Sequence, residues 1–352
     1  MSQSKTTAAT TETQPSTRRL ARKVGWEAML AVLLVVAIVG GSFLNQDFLS
    51  AANWTNLLAN FVEIALMALP LSLIVITNEI DLSVASTLGL SSSLLGLLWD
   101  AKVPMVFALI ICLLAGALCG ALNGFLIVRF RLPSLAVTIG TLALFRGFAY
   151  ILLGDRAVAD FPPEYTAFGI GVIPGTFIPA PFGIFIVLTI IFWVVLHHST
   201  TGRSLYAVGG NQTAALFSGV RLARLKMLLF ITSGVISALA GIVYTFRFSS
   251  SRADNGTGFE LSAIAAVFLG GVTVQGGKGT ITGVVLSLLL IGIINNVLTL
   301  ADVANEILRI VTGSLLIISV LLPNVIASTR ERWWLMQRQR EISRLGAASM
   351  TK

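Results

Sequence analysis

Apolar runs, each about as long as a bilayer is thick, limit what this sequence can fold into. A hydrocarbon core of about 30 Å takes roughly 20 apolar residues of helix to cross. Ten such runs, bounded by charged residues, Pro or Gly, can be placed to within a few residues. They lie near 28–44, 56–77, 83–99, 104–128, 135–153, 181–197, 226–246, 260–274, 279–299 and 306–325. Because the runs are continuous rather than alternating, they predict helices and not a β-barrel.

Composition places the chain in the same class. Hydrophobic residues make up 55% of it and charged residues only 11%, whereas soluble domains carry roughly 25% charged residues. The third and eighth runs are short, and we interpret them as broken or re-entrant segments. The sequence therefore predicts an all-α integral membrane protein with about ten transmembrane helices.

The positive charges are distributed unevenly between the two sides. With both termini in the cytoplasm, 18 of the 24 Lys and Arg residues fall inside, four fall in outside loops, and Arg146 and Arg309 lie within spans. This bias predicts cytoplasmic N- and C-termini. The net charge of +8 then reflects topology and contact with anionic lipid, rather than nucleic-acid binding. The predicted division is a disordered cytoplasmic tail over 1–27, a transmembrane domain over 28–325, and a basic cytoplasmic tail over 326–352.

Catalytic chemistry has little support in the sequence. Glu63 and Arg146 are the clear ionisable residues of the spans, whereas an ion-driven carrier normally shows several intramembrane carboxylates. The stretch GGVTVQGGKGT (270–280) superficially resembles a phosphate-binding loop, but Gly279 follows Lys278 where Ser or Thr is needed. We interpret its glycines as letting helices approach closely and the chain reverse. We expect this chain to bind no metal and no cofactor.

The loop 198–225 is the most informative polar segment, and the topology places it in the cytoplasm. Asn211 is a suitable N-cap for a short helix, and Gly219 is a suitable residue to end it. Leu216, Phe217 and Val220 would then face a neighbour. On these properties alone, an amphipathic linker is an equal alternative to a docking helix.

Its spacing resembles a known pattern. Thr213-Ala214-Ala215, three residues and Gly219 resemble the "EAA, three residues, Gly" loop with which permeases of ABC importers dock on their ATPase. The wider stretch TGRSLYAVGGNQTAALFSGVRLARLK (201–226) is similar to the matching loop of bacterial monosaccharide importers, the ribose, xylose, galactose, rhamnose and autoinducer-2 group. Similar stretches occur in the same order at 79–86, 123–147 and 233–280, and the resemblance spans roughly 55–325. Thr213 departs from the pattern because many such permeases carry Glu there, and Ala85 stands where many sugar permeases have Gly.

The resemblance implies an ABC-importer permease fold in the bacterial inner membrane, with a pathway along a dimer interface. It also implies several partners. A cytosolic ATPase would hold ATP and Mg²⁺, an extracytoplasmic protein would deliver the solute, and a second permease copy or a sister permease would complete the dimer. The predicted ATPase-coupling residues are Asn211, Thr213, Ala214, Ala215, Phe217, Ser218 and Gly219. The predicted residues for docking the binding protein are Arg247, Arg252, Asp254 and Asn255, for which a merely solvated loop is the alternative.

Polar residues within the bundle are candidates for the pathway or its gate. They are Glu79, Asp81, Ser83, Asn123, Thr138, Asn295 and Asn296, with Thr141 and Thr299 beside them. Each has a structural alternative, because Asp81 and Ser83 are suited to capping the third helix and the others to interhelical hydrogen bonds. The motifs favour a rhamnose-like solute. Autoinducer 2 as the solute, and an ion-coupled carrier as the class, are the alternatives.

Overall fold

The computed structural model describes residues 17–304, 306–308, 310–311, 313–318 and 321. Between residues 17 and 300 the chain forms twelve α-helices and one short 3-10 helix, Gln46–Leu49. The helices are α1 Thr17–Leu44, α2 Ala51–Ile76, α3 Val84–Asp100, α4 Met105–Phe130, α5 Ser134–Leu153, α6 Pro163–Ile170, α7 Ala180–His198, α8 Thr200–Gly210, α9 Gln212–Phe217, α10 Leu222–Phe248, α11 Phe259–Leu269 and α12 Ile281–Leu300. The described residues contain no β-strand, only two isolated bridges.

Seven of these helices are long and apolar enough to cross a membrane, namely α1, α2, α4, α5, α7, α10 and α12. The third and eighth predicted spans are shorter helices, α3 with 17 residues and α11 with 11 residues. The tenth predicted span, 306–325, is helical where the structure describes it. The all-α membrane fold is thus confirmed, with the third and eighth runs forming the shorter helices α3 and α11.

The connections between helices gather at two opposite ends of the bundle. At one end Gly277 donates to the carbonyl of Ile76, and the hydroxyl of Tyr206 donates to Gly279. At the other end Asn45 donates to Leu300, and Val158 forms a bridge with Ser251. We call these the inner end and the outer end, since the charge distribution predicts that the former faces the cytoplasm.

Helix α10 lies at the centre of the bundle and packs against α2, α3 and α4. Its contact with α4 is made by glycines that bring the two backbones together. A Cβ on Gly120 would lie 2.1 Å from the carbonyl oxygen of Phe230, and one on Gly234 would lie 2.1 Å from that of Gly116. Small residues allow such close approach between membrane helices, where packing replaces the hydrophobic effect as the driving force.

The N-terminal prediction is wrong in part. Helix α1 begins at Thr17, so that residues 17–27, predicted to be disordered, are helical. The Leu, Ala, Arg and Lys residues of this stretch favour helix, and they extend the first span beyond its apolar part. The remainder of that tail, 1–16, and the basic tail 326–352 lie outside the described residues.

Candidate functional site

A six-residue helix, α9, lies in the predicted cytoplasmic loop and has well-formed caps at both ends. The Oδ1 atom of Asn211 accepts from the backbone N–H of Ala214 at 2.9 Å. At the other end Gly219 has a φ of +86°, its N–H donates to Leu216, and the N–H of Val220 donates to Ala215. These two bonds form a Schellman motif, which needs a left-handed residue and therefore favours glycine. The predicted helix with its N-cap and its C-terminal glycine is confirmed.

The two faces of α9 differ in what they contact. Ala215 is buried against the protein, whereas Leu216 is 54% exposed and Phe217 is 87% exposed. Thr213, Ala214 and Ser218 are also exposed. A large aromatic side chain left open beside small residues is typical of a surface that meets another protein. This open face carries most of the residues predicted to couple the chain to an ATPase.

The segment that leads into α9 packs directly on the inner end of α2. Gly209, near the end of α8, lies so close that a Cβ there would be 1.8 Å from the carbonyl oxygen of Ile76 and 2.3 Å from the nitrogen of Gly277. Gly276 and Gly277 have φ angles of +73° and +71°. The glycines of 270–280 thus reverse the chain and let backbones meet, as predicted from the sequence.

Lys226 joins this surface to the interior, and the sequence had given no indication of its role beyond topology. Its ammonium group pairs with the carboxylate of Glu79 and also donates to Oε1 of Gln212, the first residue of α9, at 3.3 Å. The Lys226 and Glu79 side chains are only 14% and 10% exposed. Lys226 therefore connects α9 with the α2–α3 connection.

Asp81 lies two residues after Glu79, in a buried hydrogen-bonded network. Its Oδ1 accepts from the N–H of Ser83 at 3.0 Å and from the hydroxyl of Ser83 at 2.7 Å. Its Oδ2 accepts from the hydroxyl of Ser233 on α10 at 2.8 Å, and Nδ2 of Asn123 on α4 donates to Oγ of Ser83 at 2.8 Å. Ser83 occupies the N-cap position of α3 without a side-chain cap. Asp81 accepts from the N–H of Ser83, which precedes the first helical residue Val84, so neither side chain caps α3 as the predicted alternative required.

Helix α5 also forms hydrogen bonds with the α2–α3 connection. Ser134 accepts from the N–H of Ile80 at 3.0 Å, and Thr138 donates to the carbonyl of Ile80 at 3.2 Å. Five predicted pathway residues thus lie around one segment, 76–83, namely Glu79, Asp81, Ser83, Asn123 and Thr138. Side chains of α4, α5 and α10 contact it.

The remaining pathway candidates, Asn295 and Asn296, lie apart from this cluster. Asn296 exchanges hydrogen bonds of 3.0 and 2.8 Å with Asn53, at the outer end of α2. Asn53 and Ile76 are about 35 Å apart along a straight helix at 1.5 Å per residue. Asn296 therefore forms the interhelical bond given as its alternative, and Asn295 lies beside it on α12.

Only two of the four residues predicted to dock a binding protein are exposed. The side chains of Arg252 and Asp254 pair with each other and are 53% and 49% exposed, and the Arg252 guanidinium holds the pKa of Asp254 below its ordinary value. Asn255 is buried and donates to Ser92 at 2.9 Å. Arg247 is also turned inward, because it pairs with Glu63. The predicted exposure is wrong for these last two residues.

Arg146 on α5 is a further cation within a span, and backbone carbonyls surround it. It donates to Ala253 at 2.6 Å, to Asn255 at 2.9 Å and to Ala85 at 3.2 Å. A guanidinium can serve several acceptors at once through its planar array of donors. Arg146 thereby ties the outer connection 249–258 to the start of α3.

Comparison with known proteins places this arrangement in a family. The permease family described as "Branched-chain amino acid transport system / permease component" matches residues 53–320. The Autoinducer 2 import system permease proteins LsrD of Escherichia coli strain K12 and of Shigella flexneri are each 35% identical over 323 residues, which cover 90% of this chain and 97% of the relative. LsrD of Escherichia coli O157:H7 has the same identity and coverage. No solved structure matches the chain.

These matches confirm the resemblance to importer permeases that the motifs had predicted. The relatives are autoinducer 2 permeases, so the preference for rhamnose gains no support from them. The chain therefore belongs to the family of branched-chain amino acid transport system permease components, and it is a multi-pass permease of the bacterial inner membrane.

Proposed function

We propose that this chain is the membrane-spanning subunit of an ABC importer that moves a small sugar-like solute into the cytoplasm by alternating access. The observation that carries the proposal is the architecture of α9. It presents Phe217 to the outside of the subunit while Gln212, at its start, is tied through Lys226 to Glu79 in the bundle. ATP and Mg²⁺ would be held by a separate ATPase that docks on the open face of α9.

Autoinducer 2 is the solute that the similar proteins favour. Their printed names specify autoinducer 2 import, whereas rhamnose rests on motif resemblance alone. Arg252 and Asp254 form an exposed ion pair at the outer end, where an extracytoplasmic binding protein would deliver the solute. A second copy of the chain, or a sister permease, would supply the other half of the pathway.

The contacts around segment 76–83 give the coupling a physical route. A displacement of α9 would move Lys226 and Gly209, both of which contact this segment or its immediate neighbours. The hydrogen bonds of Asp81 and Ser83 would carry the movement to α4 and α10. An ATPase drives such a change only if it binds the two states of the permease with different affinities.

Paired phenylalanine variants test the docking face. Phe217 on α9 and Phe43 at the outer end of α1 are both 87% exposed, so that Phe43→Ala is a matched control for Phe217→Ala. Loss of an aromatic anchor from an interface typically costs 2 kcal/mol or more, equivalent to about thirtyfold weaker binding. We expect Phe217→Ala to lose most of the ATPase that co-purifies with the permease, and Phe43→Ala to retain it. Equal retention by both variants would contradict the docking role.

Uptake measurements test the class and the solute. Right-side-out vesicles that contain the complete system, with ATP enclosed and the binding protein added outside, should show ATP-dependent accumulation of labelled autoinducer 2, with rhamnose, ribose and leucine as competitors. Accumulation by the purified chain alone in liposomes, driven by an ion gradient, would identify a secondary carrier instead. Competition by leucine but by none of the other solutes would indicate that the solute is a branched-chain amino acid, the class in the family description.

A further inference from the structure

We propose that a polar and aromatic patch at the outer half of the bundle binds the transported solute directly, as a site for a polyhydroxylated ring. The inference rests on the importer function proposed above. The patch, which we call the outer patch, comprises Asn56, Asn60 and Glu63 of α2 and Tyr244, Arg247 and Phe248 of α10.

A fixed guanidinium is the centre of the outer patch. Arg247 donates from Nε to Oε1 of Glu63 at 2.8 Å and from Nη2 to Oε2 at 3.2 Å, and Nη1 donates to Oδ1 of Asn60 at 3.0 Å. Glu63 is fully buried, and the Arg247 side chain is 10% exposed. Of the five guanidinium N–H donors, these bonds occupy three. The remaining two, and the amide donors of Asn60, are held in a defined geometry for a further acceptor.

The exposed face of α2 at this point is unsuited to lipid. Asn56 and Asn60 are both exposed, and their spacing of four residues places them on one side of the helix. By contrast, the exposed positions of α4 between residues 106 and 125 are all apolar, as with Phe107, Leu114 and Leu118, which are 60%, 59% and 70% exposed. Amides are costly to expose to hydrocarbon. The outer patch therefore adjoins water or protein, as the wall of a pathway does.

Aromatic rings flank the polar groups. The Tyr244 ring lies 4.5 Å from that of Phe248 and 5.9 Å from that of Phe259, measured between centroids. The guanidinium carbon of Arg247 lies 4.1 Å from the centroid of Phe248, a ring that is 49% exposed. A sugar-like ring has apolar C–H faces that pack on aromatic rings, and hydroxyls that need fixed donors and acceptors. Ligand sites of this kind combine an apolar wall with a few placed polar groups.

The outer patch is also where an arriving solute would first meet the bundle. Arg252 and Asp254, the exposed pair proposed to meet the binding protein, lie four and six residues after Phe248, the last residue of α10. A solute released there would find the hydrogen-bonding groups of Asn60 and Arg247 next. The patch would then hold it before the inner end opens.

Labelling of an introduced cysteine tests occupancy without relying on transport. The native residues Cys112 and Cys119 are buried, so that Asn60→Cys provides an accessible thiol for a maleimide in the intact importer. We expect autoinducer 2 to slow the labelling of Asn60→Cys at least fivefold. Phe43→Cys, exposed at the same end of the bundle, should be labelled at an unchanged rate. Equal rates with and without autoinducer 2, and with and without rhamnose, at both positions would overturn the proposal.

Uptake kinetics provide a second test with a matched aromatic control. Phe248→Leu and Asn60→Leu should lower the maximal rate of uptake about fivefold to tenfold, because each removes one contact of roughly 1 kcal/mol with the delivered solute, whereas the binding protein sets the half-saturating solute concentration. Phe107→Leu changes an aromatic residue of similar exposure on α4 and should leave the maximal rate unchanged. Unchanged maximal rates in both patch variants, or an equal loss in Phe107→Leu, would refute binding. If the unmodified complex takes up no solute in an ATP-dependent manner, the importer function itself fails.

Discussion

Replacing Gly209 with Ala should uncouple the loop that carries α9 from the inner end of α2. The new Cβ would lie 1.8 Å from the carbonyl oxygen of Ile76 and 2.3 Å from the nitrogen of Gly277. Both neighbours are backbone atoms that cannot rotate away, so that the segments must separate by more than about 1 Å before the contact becomes tolerable. Overpacking of this kind costs about 1–3 kcal/mol. Separation also weakens the 2.8 Å bond from Gly277 to Ile76, worth about 1 kcal/mol.

A total of about 2–4 kcal/mol against the docked geometry corresponds to a loss of ATP-driven uptake of roughly thirtyfold or more, since 1.4 kcal/mol is a factor of ten. The neighbouring residue provides the control, because a Cβ on Gly210 would meet nothing within 4 Å. Gly210→Ala should therefore transport within about twofold of the unmodified protein, as expected for a strain-free glycine replacement. The assay is initial uptake of labelled solute, divided by the amount of permease in the membrane. Equal uptake by the two variants would refute the argument that backbone contact at Gly209 carries the coupling.

Two further predictions concern buried charges. Lys226→Gln leaves Glu79 without its partner and should destabilise the purified complex by about 3 kcal/mol, measured by thermal unfolding. The double variant Lys226→Gln with Glu79→Gln should recover much of that loss. A double variant that loses the sum of the two single effects would show that the pair is not coupled. Arg146→Lys keeps the charge but loses the planar array of donors, and should speed hydrogen exchange at Ala253 and Asn255. Unchanged exchange there would mean that Arg146 does not hold the outer connection.

Sequence patterns predicted those features that depend on residues close together in the chain. The apolar runs placed the spans, because crossing a bilayer sets a minimum length. Asn211 and Gly219 bounded α9 correctly, because capping depends on local hydrogen bonds. The third and eighth runs, identified as short, form helices of 17 and 11 residues.

Contacts between distant residues could not be predicted in the same way. Lys226 and Glu79 are 147 positions apart, and Arg247 and Glu63 are 184 apart. Charge patterns assign Lys226 and Arg247 only to a side of the membrane, so their partners depend on how the helices pack. The separation of Asn296 from the Asp81 cluster has the same cause. A polar residue in a span can satisfy its hydrogen bonds locally or across helices, and the sequence does not distinguish the two.

The contact of Gly209 with Ile76 and Gly277 also determines how stiffly the inner end responds to force. Where two elements meet through long side chains, rotamer changes can absorb a small shift before it travels further. Gly209 and Gly277 have no side chains that could change rotamer, so a displacement of α8 should be transmitted to the end of α2 almost undiminished. This backbone contact would therefore be rigid, and a short displacement by an ATPase beneath the membrane would be enough to move the end of α2.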